Sequence, residues 1–393
     1  MSRVRLFVVD HHAIHPAGRE LYRGLAATGM FTLRIMAPAS WTEMGMTTTF
    51  DGSLAPGTGS ADGTTEASLS VIPSHAVFGG KTHRNVYRHL FREVRSFRPD
   101  ILLVNSEPEG FLAMQAALVR EAVSRKPALV FTTWRNMAYG QGGVPFPVRW
   151  SWLSKFIEKF VLPRAAWGIA LSPSAPDVFR AQGYSFVSYI PPWVDEQRFA
   201  GARPELSGPL AVGYVGRLVR EKGVDLALHA LAKAPWPFTF TITGNGPERR
   251  ALEELARSLG IADRCRFRPS VPAAAIPMVM REMDILVLPS RSRKGWKEQF
   301  GRVLIEAMAA GTGVVGSDNG DIPAVIGDAG RIFSEDDADG LFRVLEDLRS
   351  DAALLKRLQA EGRRRVTTEF SLERAVGRHA DLFLTLARER AGP

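Results

Sequence analysis

The sequence predicts an α/β protein made of two doubly wound, Rossmann-like units, and three observations carry that expectation. Short apolar runs alternate with amphipathic helical stretches along almost the whole chain, the pattern of βαβ units and parallel sheets. The length, 393 residues, exceeds what one ordinary core serves. The series also restarts after Ile190-Pro191-Pro192-Trp193, which divides the chain into halves of roughly 150–200 residues each.

In the first half, RLFVVD (5–10) reads as a buried strand and GRELYRGLAATG (18–29) as a helix ended by Gly29. LRIMAP (33–38) is a second strand. Residues 51–70, rich in Gly, Ser, Thr and Ala, read as a loop or insertion. A helix over 82–97, a strand at DILLVNSE (100–107), a helix from Met114 to Ser124 and a strand at ALVFTTW (128–134) follow. The second half opens with a polar linker, AGARPELSG (200–208), and a strand, LAVGYVGRL (210–218). Helices at 223–234, 247–259 and 273–282 then alternate with strands at 238–244, 265–268 and 285–290. A helix from Arg302 to Ala310, a short apolar strand ending at Ser317-Asp318, and helices at 336–349, 352–366 and 371–390 complete the series. The domains expected are 1–195 and 205–370. Ligands of such sheets bind outside the carboxyl ends of the strands, so the expected site is a cleft between the two domains.

The bulk numbers narrow the class. No run of about 18 apolar residues suggests a membrane span. The N-terminus lacks the features of a secretory signal. One cysteine, Cys265, excludes an intramolecular disulfide framework and a cysteine-rich zinc site, and a reducing cytoplasmic setting is the simplest fit. The net charge of +9 favours anionic partners, among them phosphorylated small molecules and membrane surfaces. No aromatic-basic RNA motif or DNA-reading module stands out, so nucleic acid is not expected.

Chemistry concentrates in the second half. In GYVGRLVREKG (213–223) a strand runs into Gly216, and Arg217 and Lys222 lie in the loop before the next helix. A guanidinium and an ammonium there suit a diphosphate, and the flanking glycines let backbone approach it. A solvated charged loop is the plainer alternative. Gly244-Asn245-Gly246 is half of a dinucleotide fingerprint and reads as a tight turn near the ligand. In WKEQFGRVLIEAMAAG (296–311), Glu298 and Glu306 flank Phe300-Gly301. Gly301 leaves backbone N–H groups bare at the start of a helix, which favours a phosphate oxygen. Glu306 lies about one turn further on, where a carboxylate can take two hydroxyl hydrogen bonds. The same spacing also fits an amphipathic helix with one capping and one exposed acid.

The pattern E-x-F-G-x-x-x-x-E, preceded by GRLVREKG and TGNGPE, resembles glycosyltransferase family 4, whose members are retaining, metal-independent enzymes of the GT-B fold. The likeness covers most of the second half and extends weakly into the first through SEPEGFLAMQ, TTWRNM and PPWVDEQRF, in the manner of a bacterial polysaccharide-assembly branch. The resemblance implies two Rossmann-like domains facing a cleft, with the last helix (about 371–393) packed back on the first. It implies a nucleotide-activated sugar, with uridine or guanosine as the base, serving as co-substrate rather than cofactor. Carried over, Arg217 and Lys222 hold the diphosphate, with Gly216 and Gly244 beside them, and Glu306 holds the ribose. Glu298 touches the transferred sugar together with backbone at Phe300, Gly301 and Arg302, and the base lies near Arg268 and Pro269.

The first half departs from the better-known members. Many carry a Gly-Gly pair in the first loop, where this chain has DHHAIHPAGREL with the single Gly18. Where a histidine motif is usual, it has Thr133-Trp134-Arg135-Asn136. His11, His12 and His15 match no common metal site and read as loop histidines, with His15 the one to face the cleft. Glu107 and Glu109 are candidates for holding a sugar or lipid-linked acceptor, with loop capping as their other role. Residues 146–164 mix aromatics with Arg and Lys, which suits either packing on the sheet or peripheral contact with an anionic inner-membrane surface. A nicotinamide oxidoreductase would need a fuller glycine fingerprint. A nucleotide-sugar epimerase and a non-catalytic nucleotide-sugar-binding protein remain as alternatives.

Overall fold

The computed structural model describes residues 3–43, 46–54, 68–80, 84–137, 151–201 and 208–391. The chain forms two compact units, one of Met1–Ile190 with Ala375–Pro393, the other of Pro191–Arg374.

The first unit holds a seven-stranded parallel sheet. Its order across the sheet is Val187–Tyr189, Ala165–Ala170, Ala128–Thr133, Ile101–Val104, Val4–Val9, Phe31–Pro38 and Leu69–Ser74. The central strands are apolar without alternation because helices cover both faces. Ile101–Val104 is buried at every position. The last helix, Leu372–Ala391, contributes Val376 against Gly24, Phe383 edge-on to Phe31 at 6.4 Å between ring centres, and a hydrogen bond from Arg390 to the Asp100 carbonyl at 2.9 Å.

The second unit holds six parallel strands in the order Cys265–Arg268, Phe238–Thr243, Leu210–Val215, Ile285–Leu288, Gly313–Ser317 and Gly330–Phe333. Chain order across this sheet is therefore three, two, one, four, five, six. The winding reverses between Leu210–Val215 and Ile285–Leu288, and the carboxyl ends of those two strands flank the crevice where such sheets bind ligands.

Several sequence expectations are corrected. The helix expected from residue 82 begins at Leu90, because His89 takes a left-handed conformation (φ 67°) that a helix cannot contain, and Val86–Tyr87 pairs antiparallel with Ala76–Val77. The strand expected over 100–107 ends at Val104, which puts Asn105 and Glu107 in the following loop. The loop expected to 70 gives way to a strand at Leu69, and residues 55–67 lie outside the described residues. Ala165–Ala170, Val187–Tyr189 and Gly330–Phe333 are strands the pattern did not reveal. The first is alanine-rich and the other two are edge strands of three and four residues. Of the amphipathic stretch at 146–164, residues 146–150 lie outside the described residues, and Ser151–Val161 is helical. The polar linker is described only at its two ends, since 202–207 fall outside. Among the described residues no helix is long and apolar enough to cross a membrane.

One buried base makes the last helix acid-sensitive. His379 is 4% exposed, donates from Nδ1 to the Ala375 carbonyl at 2.7 Å, and packs on Phe383. Burial pulls its pKa down to about 4, against the pull of that hydrogen bond. The unfolded chain takes a proton near 6.5 and the folded chain resists it until about 4, so this contribution is intact above pH 6.5 and is lost as pH falls. At about 1.4 kcal/mol per pKa unit the full loss is about 3 kcal/mol. Denaturant titrations at pH 7.5 and 4.5 are expected to show a smaller acid loss for His379→Gln than for the natural chain. Equal losses would clear the imidazole.

Candidate functional site

In the second unit the loops after the two strands at the winding reversal carry Arg217, Lys222 and Glu298, while Arg268 and Pro269 stand at the edge strand. Leu210–Val215 ends at Gly216, and the loop that follows carries Arg217 and Lys222 to Gly223. The Tyr214 hydroxyl donates to the Arg217 carbonyl at 2.7 Å and fixes the start of that loop. The Arg217 guanidinium itself is exposed and has no ion-pair partner among the described residues. From the neighbouring strand, Ile285–Leu288, the chain continues through Pro289 and Ser290. Gly223 joins the two loops: its φ is +65°, and a Cβ there would stand 1.9 Å from the Pro289 carbonyl oxygen.

Lys222 crosses between these loops. Its Nζ lies 2.5 Å from Glu298 Oε2 and 5.1 Å from the Trp296 ring centre. Glu298 is 7% exposed. Its Oε2 also accepts from Ser290 Oγ at 2.8 Å, its N–H donates to Asn319 Oδ1 at 2.8 Å, and its carbonyl accepts from the Asp321 N–H at 3.0 Å. The carboxylate expected to touch a sugar is thus engaged in holding Lys222. Ser290, Trp296 and Asn319 complete this arrangement. Sequence reasoning missed all three, although Ser290 stands at the strand end already marked and Asn319 follows Ser317-Asp318.

Phe300 is 2% exposed and packs edge-on against Phe370 at 5.7 Å between ring centres. That anchor fixes Gly301, whose φ of +73° caps the helix Arg302–Ala310 with no side-chain acceptor on its first N–H groups. Arg302 is exposed and its Nε stands 3.3 Å from Glu306 Oε1. The Glu306 side chain is 21% exposed, so it does not point into bulk solvent. Burial pushes its carboxyl up, opposed by the charges of Arg302 and Arg198. Gly244 closes the next strand, and its N–H donates to the Arg268 carbonyl at 3.0 Å. Arg268 pairs with Glu282 at 2.5 Å on the edge strand, and Pro269 is exposed beside it. Bare helix N–H groups, two cations and a carboxylate one turn on can bind a phosphate and a diol together.

In the first unit the candidates separate. His15 is exposed and Gly18 packs tightly, a Cβ there meeting the His12 carbonyl at 2.0 Å. The ligand atoms of Asp10, His11 and His12, rather than of the three histidines, come within 4.8 Å of one another. Both Asp10 oxygens already accept hydrogen bonds, from the His12 N–H, Asn105 and Tyr22. Glu107 accepts from Thr133 Oγ1 at 2.6 Å and from the Trp134 N–H at 2.7 Å, so it braces the loop after Ala128–Thr133. Burial and the nearby Glu109 charge raise its pKa to about 7 against Arg135, Thr133 and Trp134. Arg135 lies between Glu109 and Glu158, at 2.5 Å from each, and Asn136 follows it, half-buried.

Two doubly wound units, each with a sheet reversal, define a two-unit α/β protein. Residues 195–365 match the glycosyl transferases group 1 family. The chain is 31% identical over 247 residues to the 2-deoxystreptamine glucosyltransferase of Streptomyces kanamyceticus, covering 56% of this chain and 61% of that protein. It thus spans about three fifths of that relative. Sucrose-phosphate synthase from Thermosynechococcus elongatus superposes with a TM-score of 0.69 at 20% identity, covering 98% of this chain and 99% of that one. Anabaena HepE in complex with UDP does so with a TM-score of 0.69 at 17% identity, covering 97% and 100%. These likenesses establish the GT-B fold.

The Lys222–Glu298 pair is expected to dominate the stability of the second unit. Breaking a buried pair strands the remaining charge at a cost of about 3–5 kcal/mol. Glu298→Ala and Lys222→Ala are each expected to lower the unfolding free energy by about 3 kcal/mol, with the double variant falling well short of their sum. Additive losses in a urea double-mutant cycle would show the two groups to be independent.

Proposed function

We propose that the protein is a retaining glycosyltransferase that moves a sugar from a UDP- or GDP-sugar to a hydroxyl acceptor in the assembly of a cell-surface polysaccharide or glycoconjugate. The observation that carries this reading is the joining of two loops at one sheet reversal, one with Arg217 and Lys222, the other with Glu298 just ahead of the bare helix start at Gly301, through the Lys222–Glu298 contact. The UDP bound by the Anabaena protein of the same fold supports a uridine donor. In this reading Arg217 and Lys222 take the diphosphate, Gly216 and Gly244 give it room, and Glu306 holds the ribose. Arg268 and Pro269 border the base. Glu298 sets Lys222 and, with backbone at Phe300, Gly301 and Arg302, meets the transferred sugar.

The mechanism follows from the charges. The bond from the anomeric carbon to the diphosphate breaks as negative charge grows on the leaving oxygen, where two cations and the helix dipole stabilise it. The acceptor hydroxyl attacks from the same face, and its proton passes to the leaving phosphate. On the acceptor side the candidates remain His15, Gly18, Glu107, Trp134, Arg135 and Asn136.

Arg217 gives the cleaner test, because Lys222 also supports folding. Arg217→Ala is expected to lower turnover by about a hundredfold or more while the unfolding midpoint holds. Near-normal transfer would reject the role. Product analysis separates transfer from epimerisation, and titration of UDP-sugars without turnover on any acceptor would favour a binding protein.

A second observation favours work at a membrane surface. On the helix Ser151–Val161, Trp152 and Phe156 are 66% and 55% exposed, with Lys155 and Lys159 also exposed. Exposed aromatics one turn apart beside two cations suit an anionic lipid surface and a lipid-linked acceptor. Co-sedimentation with phosphatidylglycerol vesicles is expected to fall several-fold in Trp152→Ala/Phe156→Ala. Equal sedimentation of both proteins would rule out docking by this helix.

A further inference from the structure

The first sheet has its own reversal point, between Val4–Val9 and Ile101–Val104. Asp10 follows one of these strands and Asn105 the other, so both stand where a parallel sheet receives a ligand. Asp10 is 4% exposed. Its Oδ1 accepts from the His12 N–H at 2.9 Å and from Asn105 Nδ2 at 2.8 Å, and its Oδ2 accepts from the Tyr22 hydroxyl at 2.7 Å. Burial alone would raise this carboxyl, but His12, His11 and Tyr22 together hold it well below the usual carboxylate range. An ionised carboxylate therefore sits at the base of the loop.

That carboxylate fixes the edge of an imidazole. His12 Nδ1 is 3.3 Å from Asp10 Oδ1 and 3.1 Å from Asn105 Nδ2. The ring lies tilted against His11, at 3.9 Å between centroids, and His11 lies tilted against Trp41 of the Ser40–Glu43 strand at 4.9 Å. The rest of the loop is clamped by Arg19. Its side chain is wholly buried and donates to the carbonyls of Ala13 and Ile14, to Asp51 and to Ser53. Despite this bracing, the His12 side chain is 64% exposed. A plain connection between strand and helix requires neither a buried ionised carboxylate nor a wholly buried arginine, since each is costly to desolvate. A binding loop does require a side chain held in one orientation at the ligand end of the sheet.

We propose that His12, oriented by Asp10, binds a hydroxyl of the sugar acceptor through Nε2, the ring nitrogen turned away from Asp10. Asp10 acts as a positioning residue. The assignment rests on the glycosyl-transfer reading and moves the acceptor contact in this loop from His15 to His12.

The test uses the full-length chain with UDP-glucose and GDP-mannose as donors and a panel of alkyl glycosides and aminocyclitols as acceptors. His12→Ala is expected to raise the acceptor KM about ten- to a hundredfold, the loss of one or two hydrogen bonds, with a smaller change in kcat. The Kd for UDP or GDP and the melting temperature are expected to hold. His12→Gln, which keeps an N–H donor at the Nε2 position, is expected to recover most of the loss, and Asp10→Asn to reproduce part of it. An unchanged acceptor KM in His12→Ala overturns the proposal and leaves the donor reading intact. So does a natural chain that binds a donor nucleotide but glycosylates no member of the panel. Failure of the natural chain to bind either nucleotide overturns the glycosyl-transfer reading itself.

Discussion

The buried contact between Lys222 and Glu298 is the constraint on which the second unit's site depends. Each residue comes from a different loop, and the loops leave different strands on either side of the sheet reversal. An ammonium and a carboxylate drawn together with little water between them resist separation, because parting them strands a charge in a poor solvent. The pair therefore fixes the spacing of the two loops. Ser290 and Asn319 hold Glu298 from the strand ends, so the lysine is presented at a set position rather than sampling its many rotamers.

Glycine makes that closeness geometrically available. At Gly223 any side chain would meet the Pro289 carbonyl, and the positive φ suits no other residue well. At Gly301 the left-handed turn lets the chain enter a helix with its first N–H groups uncapped. Uncapped donors are a liability in a helix that serves only structure, and they are useful where a ligand supplies the acceptor. The buried Phe300 just ahead anchors the backbone so that the donors keep their aim. The local folding rules that are broken here thus coincide with the candidate binding groups.

This coincidence explains what the sequence disclosed. The central strands are continuous apolar runs, since helices cover both faces, and such runs stand out from their surroundings. The helix Arg302–Ala310 was legible to the residue because glycine bounds it at both ends. Cys265–Arg268 was found as drawn. Short edge strands were hidden: Val187–Tyr189 has three residues and draws its stability from a neighbour, not from its own composition. The late start of the helix at Leu90 was equally hidden, because a left-handed histidine carries no sequence signature as a glycine would. In the candidate site, Arg217 and Lys222 drew notice as charged residues beside glycines, and Glu306 as a carboxylate about one turn into a helix that starts at glycine. The engagement of Glu298 with Lys222 was not legible, since the two lie far apart in sequence and only the sheet order brings them together.

The two units treat buried charge differently. In the second unit the Lys222–Glu298 pair is neutral as a unit, and Arg217 in the same loop as Lys222 stays exposed. In the first unit Arg135 is matched by both Glu109 and Glu158, and Asp10 remains ionised beneath His12. At the first reversal point the buried carboxylate of Asp10 is accompanied by the wholly buried guanidinium of Arg19 in the same loop. The two sheet reversals thus handle buried charge in different ways: the second ties an ammonium to a carboxylate across two loops, and the first sets an ionised carboxylate under an exposed imidazole and a buried arginine in the same loop.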